Sequence, residues 1–136
     1  MKNRLPVEHF HFPVEQTKAG YYSDAYFMRT LEILNGDNHH PRVLMQVFTR
    51  EHVVVCGIDE VIALIRTCAH NPETITIHAL HDGDLVAPWE TIMTIEGDLA
   101  DFSHLETLYL GILARQSRIA TNVREVVEVA NGKPVL

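Results

Sequence analysis

The stretch LETLYLGILARQSRIATNVREVVEVANG, residues 105–132, carries the longest regular pattern in the chain. Its apolar side chains recur at helical spacing: Leu105, Leu108, Tyr109, Ile112, Leu113, Ile119, Ala120, Val123, Val126 and Val127. Ser103 and Glu106 fit a capping box, and Asn131-Gly132 is a left-handed helix stop. The pattern predicts a helix roughly 40 Å long, which should pack against more protein than so small a domain supplies.

The segments before this helix have mostly strand composition. Strands are predicted where β-branched residues dominate or alternate with polar ones, at residues 43–50, 53–57, 74–80, 85–86 and 91–97. Between them, residues 58–69 place apolar side chains at helical spacing. An earlier helix is predicted over residues 23–34, with Ser23 as its N-cap and Asn35-Gly36 as its stop. The chain therefore reads as a mixed α+β domain.

We divide residues 1–136 into four parts of one N-terminal domain. Residues 1–22 form an arm with several breakers, 23–100 an α/β sandwich unit, and 101–132 the long helix with its entry. Residues 133–136, KPVL, read as the start of a strand directly after a helix stop. We therefore expect the chain to be the N-terminal portion of a longer polypeptide.

Composition restricts the functional classes that fit. Hydrophobic residues make up 46% and charged residues 21%, which is typical of a globular domain. The formal net charge is -7, which argues against nucleic acid or an anionic membrane as a partner. The first residues contain no signal-peptide run, and no stretch is apolar enough to span a membrane. We expect a cytoplasmic protein in which Cys56 and Cys68 are reduced thiols.

Motifs of self-contained catalysis are missing from the sequence. It contains no phosphate-binding loop, no GxSxG, no HExxH and no Cys-x-x-Cys. Three histidine pairs stand out: His9 with His11, His39 with His40, and His78 with His81. A metal site needs three or four ligands, and nothing completes these pairs, so no metal site is predicted. The pattern identifies no catalytic residue.

Two polar sets lie on predicted helices. Tyr26 and Arg29 are three residues apart and so share one face of the first helix. Arg118, Thr121 and Asn122 interrupt the apolar run in the middle of the long helix. Each set is either a solvated surface or a face that meets an anion or substrate. Spacing alone leaves both possibilities open.

Four segments, in this order, resemble the N-terminal region of nicotinate phosphoribosyltransferase: SDAYFMRT, VVVCGIDEVIALI, LHDGDLVAPWETIMTIEG and LETLYLGILARQSRIATNVREVV. They span most of residues 21–132. The last two are also similar to quinolinate phosphoribosyltransferase, with its pattern ending in SGIAT.

The resemblance implies a fold and a reaction. The fold is the α/β-hammerhead-like N-terminal domain of a type II phosphoribosyltransferase, a small β-sandwich unit with helices, here without its C-terminal α/β barrel. The reaction joins nicotinate to phosphoribosyl diphosphate, with ATP hydrolysis and Mg²⁺, in NAD biosynthesis. The resemblance also implies a homo-oligomer with a site shared between subunits. Without the barrel, this fragment should be inactive and should hold neither cofactor.

The resemblance also implies which side chains bind substrate. The family's S/T-D-x-Y motif falls on Ser23, Asp24 and Tyr26, where the tyrosine would stack on the pyridine ring and the aspartate would hold the helix start. Arg29 is a further candidate on the same helix. The family's S-x-x-A-T-N stretch adds Ser117, Thr121 and Asn122.

One departure favours nicotinate over quinolinate. Quinolinate-type enzymes have an arginine after the glutamate that Glu106 matches, where it helps to bind the second carboxylate, but this chain has Thr107. Arg118 also replaces the glycine of SGIAT, and we have no explanation for that change. Two alternatives remain: a quinolinate-type enzyme, and a stand-alone binding or assembly module without catalysis.

Overall fold

A three-stranded antiparallel sheet forms the central layer of the fold. The structure is a computed structural model that describes residues 3–135. Strand β5 (Thr91–Asp98) lies in the middle, between β1 (Arg42–Phe48) and β3 (Thr76–Ala79). Both pairings are antiparallel, with Met45 and Ile77 each opposite Ile95. The alternation of apolar and polar residues turns one face of this sheet to the core.

A second, two-stranded sheet joins β2 (Val53–Val54) to β4 (Leu85–Val86). The five predicted strands are therefore confirmed, although the second and the third are shorter than predicted. Helix α3 (Ile58–Cys68) follows β2 and buries its apolar stripe. It begins after Gly57, whose φ of 97° few other residues tolerate. A Cβ atom at Gly57 would lie 3.0 Å from the Ile112 side chain, so glycine also permits close helix packing.

The long helix α5 spans Glu106–Ala130 and ends, as predicted, at a left-handed Asn131. The predicted capping box is wrong. The chain first forms the short helix α4 (Leu99–Phe102) and then a 3-10 turn over Ser103–Leu105, so it enters α5 already in helical geometry. An N-cap serine must be extended, whereas Ser103 is helical and its buried hydroxyl has no partner within residues 3–135.

The predicted boundaries of the first long helix also need correction. Helix α2 spans Ala25–Gly36, so its N-cap is Asp24 rather than Ser23, and neither side chain caps it. The carboxylate of Asp24 is instead hydrogen-bonded to Thr107 of α5. Gly36 remains helical, and the left-handed residue that follows the helix is Asn38. Local signals thus located the helix but missed its ends, which contacts with other elements determine.

The predicted N-terminal arm, residues 1–22, packs onto the domain over its described part. It contains a 3-10 turn at Val7–His9 and helix α1 (Val14–Lys18), and both contact α3. The Arg4 guanidinium lies 2.9 Å from an Asp59 carboxylate oxygen, and that carboxylate also accepts from the Leu5 amide. Met1 and Lys2 lie outside the described residues.

The core lies between the sheet, α3 and the first half of α5. Its fully buried members come from these elements and from the segments that join them: Val55, Ile58, Val61, Leu64, Ile65, Met93, Ile95, Phe102, Leu105 and Tyr109. Cys68 is buried, Cys56 is half-buried, and both are free thiols. Within residues 3–135, every helix is too short or too polar to cross a membrane.

The second half of α5 leaves its apolar side chains exposed. Ile119, Val123, Val126 and Val127 are each about half exposed. A partner for this helix, inferred from its length, stays a prediction. The strand predicted at 133–136 also stays a prediction, since residues 133–135 carry no regular structure and Leu136 lies outside the described residues.

Candidate functional site

The beginning of α2 packs against the beginning of α5, and this contact positions the first group of predicted site residues. The Thr107 hydroxyl donates to an Asp24 carboxylate oxygen at 3.1 Å, and the Asp24 amide approaches the same hydroxyl at 3.4 Å. Asp24 therefore joins the start of α2 to α5, and its role in substrate binding stays a prediction. The contact directs the next turn of α2, with Tyr26 and Arg29, toward solvent.

Tyr26 is an exposed, neutral aromatic side chain. It is 57% exposed, and its ring packs on Phe27 with a centroid distance of 4.1 Å. Partial desolvation, followed by the negative charges of Glu106 and Asp24, raises the pKa of Tyr26. The side chain therefore keeps its phenol proton near neutral pH and presents a flat, uncharged ring.

Arg29 lies one turn further along α2 and is also exposed. It makes no hydrogen bond or ion pair with any residue of the described range 3–135. Because its guanidinium is not already paired, it can bind a carboxylate or phosphate without first losing a partner. Tyr26 and Arg29 together provide an aromatic surface and a cation, which is what an aromatic acid requires.

In the second predicted group, Ser117, Thr121 and Asn122, two of the three side chains are hydrogen-bonded to backbone. The Ser117 hydroxyl accepts from the Cys56 amide at 3.1 Å and lies 3.2 Å from the Cys56 carbonyl. The Thr121 hydroxyl accepts from the Val54 amide at 3.0 Å. These side chains hold the strand β2 segment against α5. Asn122 is exposed and has no hydrogen bond to the described part of the chain.

The two predicted groups do not come together in one pocket. Thr107 and Ser117 are ten positions apart on one helix, which corresponds to roughly 15 Å of rise. Ser117 and Arg118 instead line a groove of about 350 Å³ between α5 and the end of β1. Phe48 and Arg50 belong to that groove, and sequence reasoning did not select either residue.

The histidines do not form a metal centre in the part of the chain that the structure describes. Residues 3–135 contain no group of three or more His, Cys, Asp or Glu side chains that could hold an ion. One pair does meet: His70 stacks on buried His104 with ring centroids 4.6 Å apart. Burial, followed by the neighbouring His70, lowers the pKa of His104 to about 4.

Comparison with known proteins gives one family and several relatives. Residues 24–117 match the family described as "Quinolinate phosphoribosyl transferase, N-terminal domain". The chain is 29% identical over 91 residues to the probable nicotinate-nucleotide pyrophosphorylase [carboxylating] of Methanothermobacter thermautotrophicus. That match covers 67% of this chain but only 31% of the relative.

Two solved structures have a similar fold. The nicotinate-nucleotide pyrophosphorylase of Pyrococcus furiosus aligns with a TM-score of 0.63 at 30% identity, over 82% of this chain and 28% of that one. The human nicotinic acid phosphoribosyltransferase aligns with a TM-score of 0.70 over 84% of this chain and 30% of that one. Its identity is 18%, so it shows the fold alone.

These findings confirm the predicted α+β fold class and correct the predicted enzyme. The assignment to ATP-dependent nicotinate phosphoribosyltransferase is wrong, because the family match and the relatives of higher identity point elsewhere. The choice of nicotinate over quinolinate rested on Thr107, which stands where quinolinate-type enzymes have an arginine that helps to bind the second carboxylate. In the structure the Thr107 hydroxyl donates to the Asp24 carboxylate and so joins α5 to α2.

Proposed function

The chain belongs to the quinolinate phosphoribosyl transferase N-terminal domain family, and on that premise we propose that it is part of a quinolinate phosphoribosyltransferase in pyridine nucleotide biosynthesis. The observation that carries the proposal is the family match over residues 24–117, which runs from the N-cap of α2 to Ser117 on α5. The relative from Methanothermobacter thermautotrophicus, whose name describes it as carboxylating, supports the same reaction.

The proposed reaction follows from the activity in that relative's name. A carboxylating nicotinate-nucleotide pyrophosphorylase consumes nicotinate nucleotide, diphosphate and carbon dioxide, and it yields quinolinate and phosphoribosyl diphosphate. In the biosynthetic direction, a bond forms between the pyridine nitrogen and the ribosyl carbon, diphosphate leaves, and one carboxylate is lost as carbon dioxide. The substrate is thus a flat aromatic dianion, and the leaving group is also an anion.

The chain spans about a third of the length of the relatives that it matches, so activity belongs to a longer protein in this proposal. Mg²⁺ remains part of the proposal for that protein, as a counter-charge for diphosphate. ATP hydrolysis was tied to the nicotinate assignment and is not carried forward. A shared site in a homo-oligomer is also proposed, since Tyr26 and Arg29 are exposed rather than directed into this domain.

We propose that Tyr26 and Arg29 form the part of the substrate site that this domain supplies. The neutral Tyr26 ring would pack on the pyridine, and the Arg29 guanidinium would pair with a carboxylate. Ser117 and Thr121 would act indirectly, because their hydroxyls already hold the backbone of β2. Asn122 is exposed and available for a direct polar contact.

The test uses the full-length protein with phosphoribosyl diphosphate and Mg²⁺. We expect nicotinate mononucleotide from quinolinate without ATP, and none from nicotinate. Tyr26→Ala and Arg29→Gln should each reduce kcat/KM for quinolinate by roughly 10-fold or more, the cost of one good charged or stacking contact. Nucleotide formation from nicotinate alone would overturn the proposed reaction.

Matched surface variants separate a site role from a general effect. Tyr21→Ala removes another exposed tyrosine, and Arg42→Gln removes another exposed arginine. We expect both to keep the kinetics of the unmodified enzyme. If all four variants behave alike, Tyr26 and Arg29 have no special place in substrate binding, even if the enzyme uses quinolinate.

A further inference from the structure

Trp89, the single tryptophan of the chain, occupies a backbone position that disfavours it. It is the third residue of a turn closed by a hydrogen bond from the Glu90 amide to the Ala87 carbonyl, with Pro88 second. Its φ is +71°, and at this turn position a positive φ is normally taken by glycine. The side chain is nevertheless 65% exposed. Burial therefore does not compensate for the strain, which suggests a use at the surface.

The turn fixes Trp89 beside the end of β1. Its backbone amide donates to the Thr49 carbonyl at 2.6 Å. The indole packs against Phe48, with ring centroids 5.5 Å apart and planes inclined by 31°. The Arg50 guanidinium carbon lies 6.0 Å from the centroid of the indole ring, over its face. Trp89 therefore restrains two exposed side chains, one aromatic and one cationic.

Phe48 and Arg50 form one wall of the groove between β1 and α5. Its volume is about 350 Å³, within the range of small-molecule sites. The floor is apolar and includes Val47, Ile92 and Leu113, which are buried beneath it. The groove can therefore accept a flat apolar ring against the floor and beside Phe48.

The rim of the groove is cationic on an otherwise acidic domain. Arg118, on the α5 side, lies 3.2 Å from a Glu51 carboxylate oxygen, and both side chains are about two-thirds exposed or more. Arg50 has no ion pair and no hydrogen bond with any residue of the range 3–135. The rim thus offers two guanidinium groups against one carboxylate, while the chain as a whole carries a charge of -7.

We propose that this groove is a binding site for a planar aromatic carboxylate. The ring lies on the apolar floor against Phe48, and the carboxylate pairs with Arg50 and competes with Glu51 for Arg118. Trp89 is a positioning residue, because it holds Phe48 and Arg50 in place. Neither Tyr26 nor Arg29 lines this groove. Ser117 does line it, but its hydroxyl is already bonded to the Cys56 backbone, so the groove does not use the proposed substrate-contacting residues of the transferase site.

The binding test titrates the 136-residue chain with 2-naphthoate and with its neutral amide. Because the chain has one tryptophan, its nitrogen–proton NMR spectrum contains one indole signal, which reports directly on Trp89. We expect a saturable 1:1 shift of that signal with the carboxylate and at least 10-fold weaker binding of the amide. Absence of saturation, or equal affinity for both probes, would overturn the proposal.

Variants test the roles of the two exposed side chains by calorimetric titration. Arg50→Gln should weaken 2-naphthoate binding at least 10-fold, whereas Arg42→Gln, at the opposite end of β1 and paired with Glu96, should not. Trp89→Gly should raise the melting temperature, because glycine relieves the strained turn, and yet weaken binding at least 10-fold. A merely structural tryptophan would lower stability when removed. A Trp89→Gly variant with lower stability or unchanged affinity would refute its role.

Because these titrations contain no phosphoribosyl diphosphate, their outcome is independent of the transferase assay. Failure of aromatic acids to bind the groove would leave the proposed quinolinate reaction intact. Conversely, binding of 2-naphthoate to the groove would still stand if the full-length enzyme proved inactive.

Discussion

Acid should destabilise this domain through one buried histidine. His104 lies in the 3-10 turn before α5, is 1% exposed, and has no partner for its Nδ1 atom within residues 3–135. Burial, and then the neighbouring His70, lowers its pKa from 6.5 to about 4 in the folded state. The unfolded chain therefore binds a proton as the pH falls through 6.5, whereas the folded chain does not until about pH 4.

The size of the effect follows from these two values. Between neutral pH and pH 4, the different proton binding of the two states lowers the free energy of unfolding by about 3 kcal/mol. That is a large fraction of the stability of a small domain. Stability from this source is fully present above pH 6.5 and is lost as the pH falls toward 4.

Urea unfolding of the unmodified chain and of His104→Phe, followed by circular dichroism between pH 7.5 and pH 4, isolates this contribution. The 18 Asp and Glu residues are present in both proteins, so their effect cancels in the difference. We expect the free energy of unfolding of the unmodified chain, relative to the variant, to fall by about 3 kcal/mol over that range. His78→Phe controls for loss of an exposed imidazole. A constant difference between the unmodified chain and His104→Phe would refute the reasoning.

Three further substitutions test the packing of α5 by the same urea assay. Gly57→Ala should lower the free energy of unfolding by about 2 kcal/mol, because its φ is +97° and its Cβ would crowd α5. Gly111→Ala, at an open position of α5, should instead raise the free energy of unfolding by about 0.5–1 kcal/mol. If both glycine variants were less stable than the unmodified chain, the packing argument would be contradicted. Ser117→Ala should cost about 1–3 kcal/mol by leaving the Cys56 amide without its acceptor, whereas an effect no larger than that of Asn122→Ala would contradict that role.

The sequence predicted those elements whose stabilisation is local and periodic. Helices α3 and α5 and strand β5 were located because their apolar residues follow one period over several turns or pleats. The prediction of a capping box was wrong because Ser103 lies in a 3-10 turn that leads directly into α5, and no local sequence signal predicts that turn. The beginning of α2 was misplaced because Asp24 bonds to Thr107, 83 positions away.

The candidate site was only partly predictable from the sequence, because some of its side chains make contacts with residues that are distant in the sequence. Spacing placed Tyr26 and Arg29 on one face, and that face is exposed. The use of Ser117 was not readable, since its hydroxyl is occupied by the backbone of Cys56, 61 positions earlier. The positive φ of Trp89 depends on the conformation of its turn, and the sequence alone does not predict that conformation.

The stoichiometry of carbon dioxide release tests the family-based function most directly. Full-length protein would receive phosphoribosyl diphosphate and quinolinate labelled at the carboxylate that nicotinate lacks, without ATP. The proposed function predicts one labelled carbon dioxide for each nicotinate mononucleotide formed. Nucleotide formed from nicotinate, with no labelled carbon dioxide released from quinolinate, would contradict it.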